Sequence, residues 1–295
     1  MEPRLILGIG ELLWDLLPEG PRLGGAPANF AVMAARLGNH AAILSRIGRD
    51  DLGRKAIEAL ESLPADTEFL EVDATHETGR VTVAFKNEQP EYTIHQPAAW
   101  DFLSLSDEWI ALAERADAVC FGSLAQRSPQ SRQTIQELVA GTRAECNRVF
   151  DVNLRRPFYT AEVVEESLEL ATILKMNDAE ASILQSLLGL PVETSLHHNA
   201  LRLLREFPGL HLVAITRGER GSLLVTRDEW HDHPGIAVDV ADTIGAGDAY
   251  TAAMTDALLR GASLAAVSES GNRCGAWVAS QQGGMPLRKD ESASL

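Results

Sequence analysis

Along the chain, short apolar runs alternate with stretches whose apolar residues recur at helical spacing. The runs at 5–10 (LILGIG), 41–48 (AAILSRIG), 118–124 (AVCFGSL), 148–154 (RVFDVNL), 172–177 (TILKMN) and 212–218 (LVAITRG) read as buried strands. Between them, residues 51–62 put Leu52, Ala56 and Leu60 on one helical face, and residues 178–188 do the same with Ala181, Leu184 and Leu188. Such alternation predicts an α/β fold in three layers, α/β/α, with a mostly parallel central sheet covered by helices on both faces. One segment has a different period. Residues 79–96 alternate in the strand manner, with Val81, Val83 and Phe85 before the polar KNEQPE and Tyr92 and Ile94 after it. This predicts a half-exposed antiparallel hairpin, either a lid or the edge of a dimer.

Bulk properties narrow the partners. With 295 residues, 45% of them hydrophobic, the chain can bury a sizeable core as one large α/β domain or a core with a small appendage. A formal net charge of −16 repels phosphate backbones and anionic bilayers, which argues against nucleic acid and membranes as partners. No apolar stretch approaches the ~20 residues of a membrane span, and the N-terminal MEPRLILGIGELLWDLL lacks a basic start and a small-residue cleavage site. Cys120, Cys146 and Cys274 form no CxxC pair and are odd in number, so buried reduced thiols in a cytoplasmic protein are expected. The tail KDESASL (289–295) is expected to fray.

Ligands of open parallel sheets sit outside the carboxyl ends of the strands. Asp15, Asp151, Asn153, Asn177, Thr216 and Asp242 are the polar residues expected at those ends. The glycine-rich stretches fail as dinucleotide fingerprints: GIGELL (8–13) has Leu13, and GAGDAY (245–250) has Tyr250, where the third small residue belongs. No GK dipeptide exists to build a Walker A loop, and no GxSxG elbow is present. What remains is GAGD at the start of an apolar helix. Two readings stand. Asp248 simply charges the first helical turn favourably, or the amides of Gly245, Ala246 and Gly247 face an anion and Asp248 is a base beside it. The segment GGAPANFAVMAARLG (24–38) is likewise a well-made helix start or a polyol-binding one, with Asn29 offering both a donor and an acceptor. His231–Asp232–His233 reads as a solvated loop, having no third ligand at metal spacing.

Taken together, GGAPANFAVMAARLG (24–38) and DTIGAGDAYTAAM (242–254) resemble the two signature regions of the ribokinase-like sugar kinases, the phosphofructokinase-B family. GELLWD (10–15), DVNLRRP (151–157), NDAE (177–180), TRGERGSLL (216–224) and GNRCGAWVASQQGGMP (271–286) match further family segments in order, so the similarity runs from about residue 5 to 287. The resemblance implies a single ribokinase-like kinase domain over 1–295, with a small β lid from about 15–24 and 72–99. It implies ATP-dependent phosphorylation of a sugar, with Asp248 as catalytic base, Gly245, Ala246 and Gly247 as anion hole, and Arg155 neutralising the transferred group. Asp15, Gly25, Asn29 and Asn153 are implied in sugar binding; Thr216, Gly218, Gly221 and Asn272 border ATP. Asn177 and Glu180 would organise ATP and Mg²⁺, Glu180 through water. A K⁺ site is implied at Asp242, Ile244, Ser280 and Gly283, although Ile244 and QQGG (281–284) depart from the common pattern. The GGAPAN string, DVNLRRP and TGR (78–80) look most like fructokinases, so fructose is the expected substrate. Another ketose, a keto-deoxy sugar acid or a nucleoside is the alternative, as is a catalytically silent binder on the same fold. A homodimer through the lid is expected by the same analogy.

Overall fold

The computed structural model describes residues 3–86 and 89–286. In chain order the elements are β1 (Leu5–Ile9), β2 (Leu13–Leu17), β3 (Gly20–Gly24), α1 (Ala26–Arg36), β4 (His40–Leu44), β5 (Arg46–Gly48), α2 (Asp51–Leu60), β6 (Glu71–Asp73), β7 (Gly79–Lys86) and β8 (Gln89–Ile94). Then come α3 (Asp107–Arg115), β9 (Ala118–Gly122), α4 (Pro129–Ala140), β10 (Asn147–Asp151), α5 (Ala161–Leu170), β11 (Ile173–Asn177), α6 (Asp178–Leu187) and α7 (Leu196–Glu206). The chain finishes with β12 (Leu212–Thr216), β13 (Ser222–Val225), β14 (Trp230–His233), α8 (Ala246–Leu259) and α9 (Leu264–Ala279).

The central sheet runs β14-β13-β12-β11-β10-β9-β1-β4, parallel from β12 to β4 and antiparallel at β13 and β14. Successive side chains of a strand point to opposite faces. Thus Ile6, Ile173, Leu212 and Ala214 join one core with α1, α2, α8 and α9, whereas Leu7, Leu174, Val213 and Ile215 join the other with α3 to α7. Both faces of the parallel strands are therefore apolar, which is why these strands read as continuous runs rather than alternating ones.

A second sheet, β3-β2-β7-β8, stands apart from the first. The hairpin at 79–96 supplies β7 and β8, with Lys86 opposite Gln89, so the expected KNEQPE linker is shorter than its polarity suggested. Residues 87–88 and the tail 289–295 lie outside the described residues. Two other boundaries also differ from expectation. The run 41–48 is split: β4 joins the central sheet, while β5 leaves it at Ser45 to pair with β6. Consequently 71–73 belong to that two-stranded pair and not to the β3-β2-β7-β8 sheet. The His231–Asp232–His233 cluster is not a loop but most of edge strand β14, where buried His233 meets Glu269 at 2.8 Å and accepts from the Gly235 amide. All three cysteines are buried and unpaired. No helix among the described residues is long and apolar enough to cross a membrane.

Candidate active site

The carboxyl ends of β10, β11 and β12 meet the N-termini of α1 and α8 on one side of the sheet. Register explains the central charges. Val149 of β10 pairs with Ile173 of β11, and both face the α8 side. Two residues further on, Asp151 and Lys175 are again paired and again face α8. There Lys175 Nζ lies 3.0 Å from Asp151 Oδ2, and Thr251 of α8 donates to the same oxygen at 3.1 Å. Lys175 Nζ also stands 3.1 Å from where a Cβ on Gly247 would fall, which puts an ammonium against the first turn of α8. Burial works against that ammonium, but Asp151, Asp248 and Glu180 outweigh it and hold its proton more tightly than usual.

The start of α8 is built on a left-handed glycine. Gly245 has φ 76°, and a Cβ there would meet Gly284 Cα at 2.4 Å, so only glycine fits. Among the described residues, the amides of Gly245, Gly247 and Asp248 find no protein acceptor. The Ala246 amide differs from expectation, since it makes a long bond of 3.3 Å to the Thr243 carbonyl. The free set is therefore 245, 247 and 248, not 245–247. Such amides at a helix N-terminus favour an anion.

Asp248, half-buried, accepts a 2.7 Å hydrogen bond from Asn29 Nδ2 on α1, whose Oδ1 is buried without a partner. Burial, and then the Asp151 charge, push the Asp248 carboxyl up to about 6; Lys175, the Asn29 bond and Arg155 pull the other way. Gly25, the residue before α1, has φ 118°, and a Cβ there would fall 2.3 Å from the Glu11 carbonyl, so the link between β1 and β2 passes directly over the α1 start. Asn153 occupies a left-handed conformation (φ 39°) that asparagine tolerates better than other side chains. Arg155, two residues on, is exposed, yet its charge lowers the acids Asp15, Glu11 and Asp248, whereas Arg156 donates to Tyr159 Oη at 3.3 Å.

Asp15 and Asp242 do not end strands, as the sequence suggested. Asp15 lies within β2, opposite Arg22 of β3. Burial raises its carboxyl, Arg155 opposes this, Asp242 adds to it and Arg22 opposes it. Asp242 sits on the irregular segment before α8, where its carboxylate is bound by Arg22 and by the amides of Ile244 (3.0 Å) and Gly283 (3.0 Å). Ser280 closes the end of α9, its hydroxyl donating to the Trp277 carbonyl at 2.7 Å.

Toward the β11–β13 end, Asn177 and Thr216 are paired in register. Asn177 caps α6 reciprocally: its Oδ1 accepts from the Glu180 amide (2.8 Å), and Glu180 Oε2 accepts from the Asn177 amide (2.8 Å). Glu180 Oε1 takes the Leu154 amide at 2.9 Å, so this buried carboxylate ties the segment after β10 to α6. Gly218 (φ 59°) and Gly221 (φ 78°) shape the turn after β12; a Cβ on Gly221 would overlap the His233 carbonyl. Asn272 is turned inward, with Nδ2 donating to Ser222 Oγ (2.7 Å) and the Ser268 carbonyl (2.8 Å). Sequence reasoning missed Glu11, Arg22, Lys175 and Gly284, and named Asp151 without a role. A lysine inside ILKMN and an acid inside LILGIGELLWD were the available signals.

A parallel three-layer sheet with a small β cover, and a carboxylate beside unpaired helix-terminal amides, defines the class of ribokinase-like carbohydrate kinases. The family model described as pfkB family carbohydrate kinase matches residues 21–290, and the chain belongs to that family. An uncharacterized sugar kinase of Pyrococcus horikoshii is 32% identical over 97% of this chain and 94% of its own length. Its crystal structure in complex with ATP superposes with a TM-score of 0.82 at 31% identity, covering 97% and 96% of the two chains. Fructokinase from Vibrio cholerae, solved with fructose, ADP and calcium, gives a TM-score of 0.79 at 27% identity over 96% and 94%. Aminoimidazole riboside kinase from Salmonella enterica, solved with its riboside and an ATP analogue, gives 0.79 at 26% over 95% of each chain.

Proposed function

We propose that this carbohydrate kinase transfers the γ-phosphoryl group of ATP to a primary hydroxyl of fructose. The observation that carries the reading is the Asp248 carboxyl, oriented by Asn29 at 2.7 Å beside the unpaired amides of Gly245 and Gly247. Phosphoryl transfer of this kind demands positioning and charge stabilisation more than covalent help from the protein. Asp248 accepts the proton of the attacking hydroxyl, and the helix-terminal amides meet the charge on the migrating group. Lys175 and Arg155 add positive charge on either side. Asp15 accepts from sugar hydroxyls, and Gly25, Asn29 and Asn153 line the same end. Thr216, Gly218 and Gly221 border the nucleotide, and Asn272, turned inward, braces that border through Ser222. The nucleotide's Mg²⁺ lowers the phosphate charge. Asn177 and Glu180 suit it through water, because both Glu180 oxygens already accept from amides. A K⁺ ion at Asp242, Ile244, Ser280 and Gly283 would share the Asp242 carboxylate with Arg22. The β3-β2-β7-β8 sheet acts as the lid. Its outer strand β8, carrying 63% exposed Tyr92, is the edge that a second copy would meet.

A nucleoside substrate is the second reading, favoured by the similarity to the Salmonella enterica riboside kinase, whose TM-score of 0.79 equals that of the fructokinase. Measuring ATP consumption over a panel of ketoses, keto-deoxy sugar acids and nucleosides, with Mg²⁺ and with or without K⁺, decides between them. Fructose should give the highest kcat/KM. A nucleoside in that place selects the second reading, and binding of a panel member without ADP formation makes the protein a silent binder.

A further inference from the structure

Asp15 stands on the small sheet, and the first turn of α2 holds two strands of that sheet at once. Asp50 caps α2, its Oδ1 accepting from the Gly53 amide at 2.8 Å. Capping needs no more than that bond. Yet Asp50 also reaches across 28 positions, where Oδ2 accepts the Thr78 amide at 2.7 Å and Oδ1 accepts the Thr78 hydroxyl at 2.8 Å. Thr78, 1% exposed, in turn accepts the Gly48 amide at 2.9 Å through the same hydroxyl. Burial raises the Asp50 carboxyl, but its bonds from Thr78 and Gly53 outweigh burial and hold it below the ordinary aspartate value.

The second strand is tied one residue further along α2. The Leu52 carbonyl accepts from Trp14 Nε1 at 2.9 Å. Thr78 immediately precedes Gly79, the first residue of β7, and Trp14 immediately precedes Asp15 in β2. In the parallel register of these strands Leu13 lies opposite Gly79, and Asp15 lies opposite Val81. The junction has no slack. A Cβ on Gly48 would fall 2.5 Å from the Thr78 nitrogen, one on Gly53 2.1 Å from the Gly48 carbonyl oxygen, and one on Gly79 2.2 Å from Trp100 Nε1.

We propose that Asp50, Thr78 and Trp14 are positioning residues for sugar binding: through them the first turn of α2 fixes the β2–β7 pair, and with it the place of Asp15. The proposal rests on the reading of Asp15 as an acceptor of sugar hydroxyls. The three act through Asp15, while Asp248 and its neighbouring amides are carried by α8. Their loss should therefore weaken sugar binding more than it slows turnover.

Thr78→Val keeps the shape of the side chain and removes the hydroxyl bonded to Asp50 and Gly48, whereas Thr78→Ser keeps that hydroxyl. Thr78→Val should raise the sugar KM about tenfold while kcat and the ATP KM change less than about twofold, and Thr78→Ser should stay within about twofold of wild type. Trp14→Phe, which releases the Leu52 carbonyl, should move the sugar KM in the same direction. Amide hydrogen exchange of the free protein gives a readout independent of activity: residues 13–16 and 79–82 should exchange at least about tenfold faster in Thr78→Val, with β1 and β4 unchanged. Unchanged exchange in those segments overturns the proposal. So does a lowered melting temperature with an unchanged sugar KM, or an equal loss toward sugar and ATP, where Asp15→Asn itself raises the sugar KM. If Asp15→Asn leaves that KM unaltered, the reading of Asp15 has failed, and hydrogen exchange alone decides whether α2 anchors the two strands.

Discussion

Asp248→Asn should make this protein a worse enzyme and a more stable one, with the gain depending on pH. The amide cannot take a proton from the attacking hydroxyl, so turnover should fall by about 10²–10⁴, while sugar affinity, set largely by other residues, changes little. For stability, the sign follows from the shift. The Asp248 carboxyl is raised from 3.8 to about 6 in the folded protein, so the native state holds this proton more tightly than the unfolded chain does. Below pH 4 both states are protonated and the residue is harmless. As pH rises from about 4 to 6 the unfolded chain ionises first, and stability is lost; above 6 the penalty is complete. At about 1.4 kcal/mol for each tenfold change in proton affinity, the ceiling is about 3 kcal/mol, and the side chain's opening to solvent reduces this to about 1–2. Asparagine keeps an oxygen to accept from Asn29 Nδ2.

Urea denaturation at pH 4, 6 and 8, with the initial rate measured on the same preparations, reads both effects. The stability difference should be near zero at pH 4 and favour the variant by about 1–2 kcal/mol at pH 8. Relief of Glu11, whose carboxyl the Asp248 charge raises, should place part of the gain between pH 6 and 8. A difference that stays flat across pH would show that Asp248 ionises without strain, and a variant retaining most of its rate would remove it as the base.

Three further substitutions probe the supporting structure. Gly245→Ala forces a Cβ into Gly284 at a left-handed backbone, so it should cost about 1–3 kcal/mol and lower turnover at least about 10²-fold; unchanged melting and rate would mean that this turn is not the anion hole. Lys175→Met leaves the buried Asp151 carboxylate without its cation and should destabilise by about 3–5 kcal/mol. It should also move the acid limb of the rate profile to higher pH, since Lys175 favours ionised Asp248; an unmoved limb refutes that link. Arg22→Ala removes the half-buried pair with Asp242, worth about 1 kcal/mol, and should raise the sugar KM about fivefold with less effect on kcat. An unchanged KM removes Arg22 from lid closure.

The parts of this molecule that repeat a simple period were legible in its sequence. Parallel strands coated on both faces must be apolar throughout, so LILGIG, TILKMN and LVAITRG announced themselves, and the hairpin at 79–96 stood out because its apolar residues alternate with polar ones. Less legible was where a run changes partner. AAILSRIG is apolar across Ser45, yet the chain leaves the central sheet there, and hydrophobicity carries no record of which neighbour a strand pairs with. Asp15 and Asp242 were misplaced for a related reason: an acid beside an apolar run looks like a strand end whether the chain stops, continues in another sheet or wanders. Helix starts carried by local spacing survived best. GAGD and GGAPAN each encode a helix start, and their meeting through Asn29 and Asp248 is a contact across 219 positions that no local pattern contains. Lys175 and Glu11 were hidden because a charge within an apolar segment has no local partner. Lys175 meets its partner Asp151 through strand register, and the charge that acts on Glu11, that of Asp248, is brought near by helix packing.

That long-range assembly also ties the small β3-β2-β7-β8 sheet to the start of α8. Arg22 of β3 holds Asp242 and donates to Gln282 at 2.9 Å. Asp242 in turn accepts the amides of Ile244 and Gly283. One residue beyond each of these amides, Gly245 and Gly284 press together, and Gly284 also packs against the Asn29 side chain. A shift of β3 relative to the body therefore pulls on the same short segments that orient the amides of α8 and the partner of Asp248. Closely packed backbone without side chains has little slack to absorb such a pull. The glycines at 245 and 284 thus let the α8 start, the loop after α9 and the Asn29 side chain pack as one close contact, and the Arg22–Asp242 pair is the point at which the small sheet is tied to it.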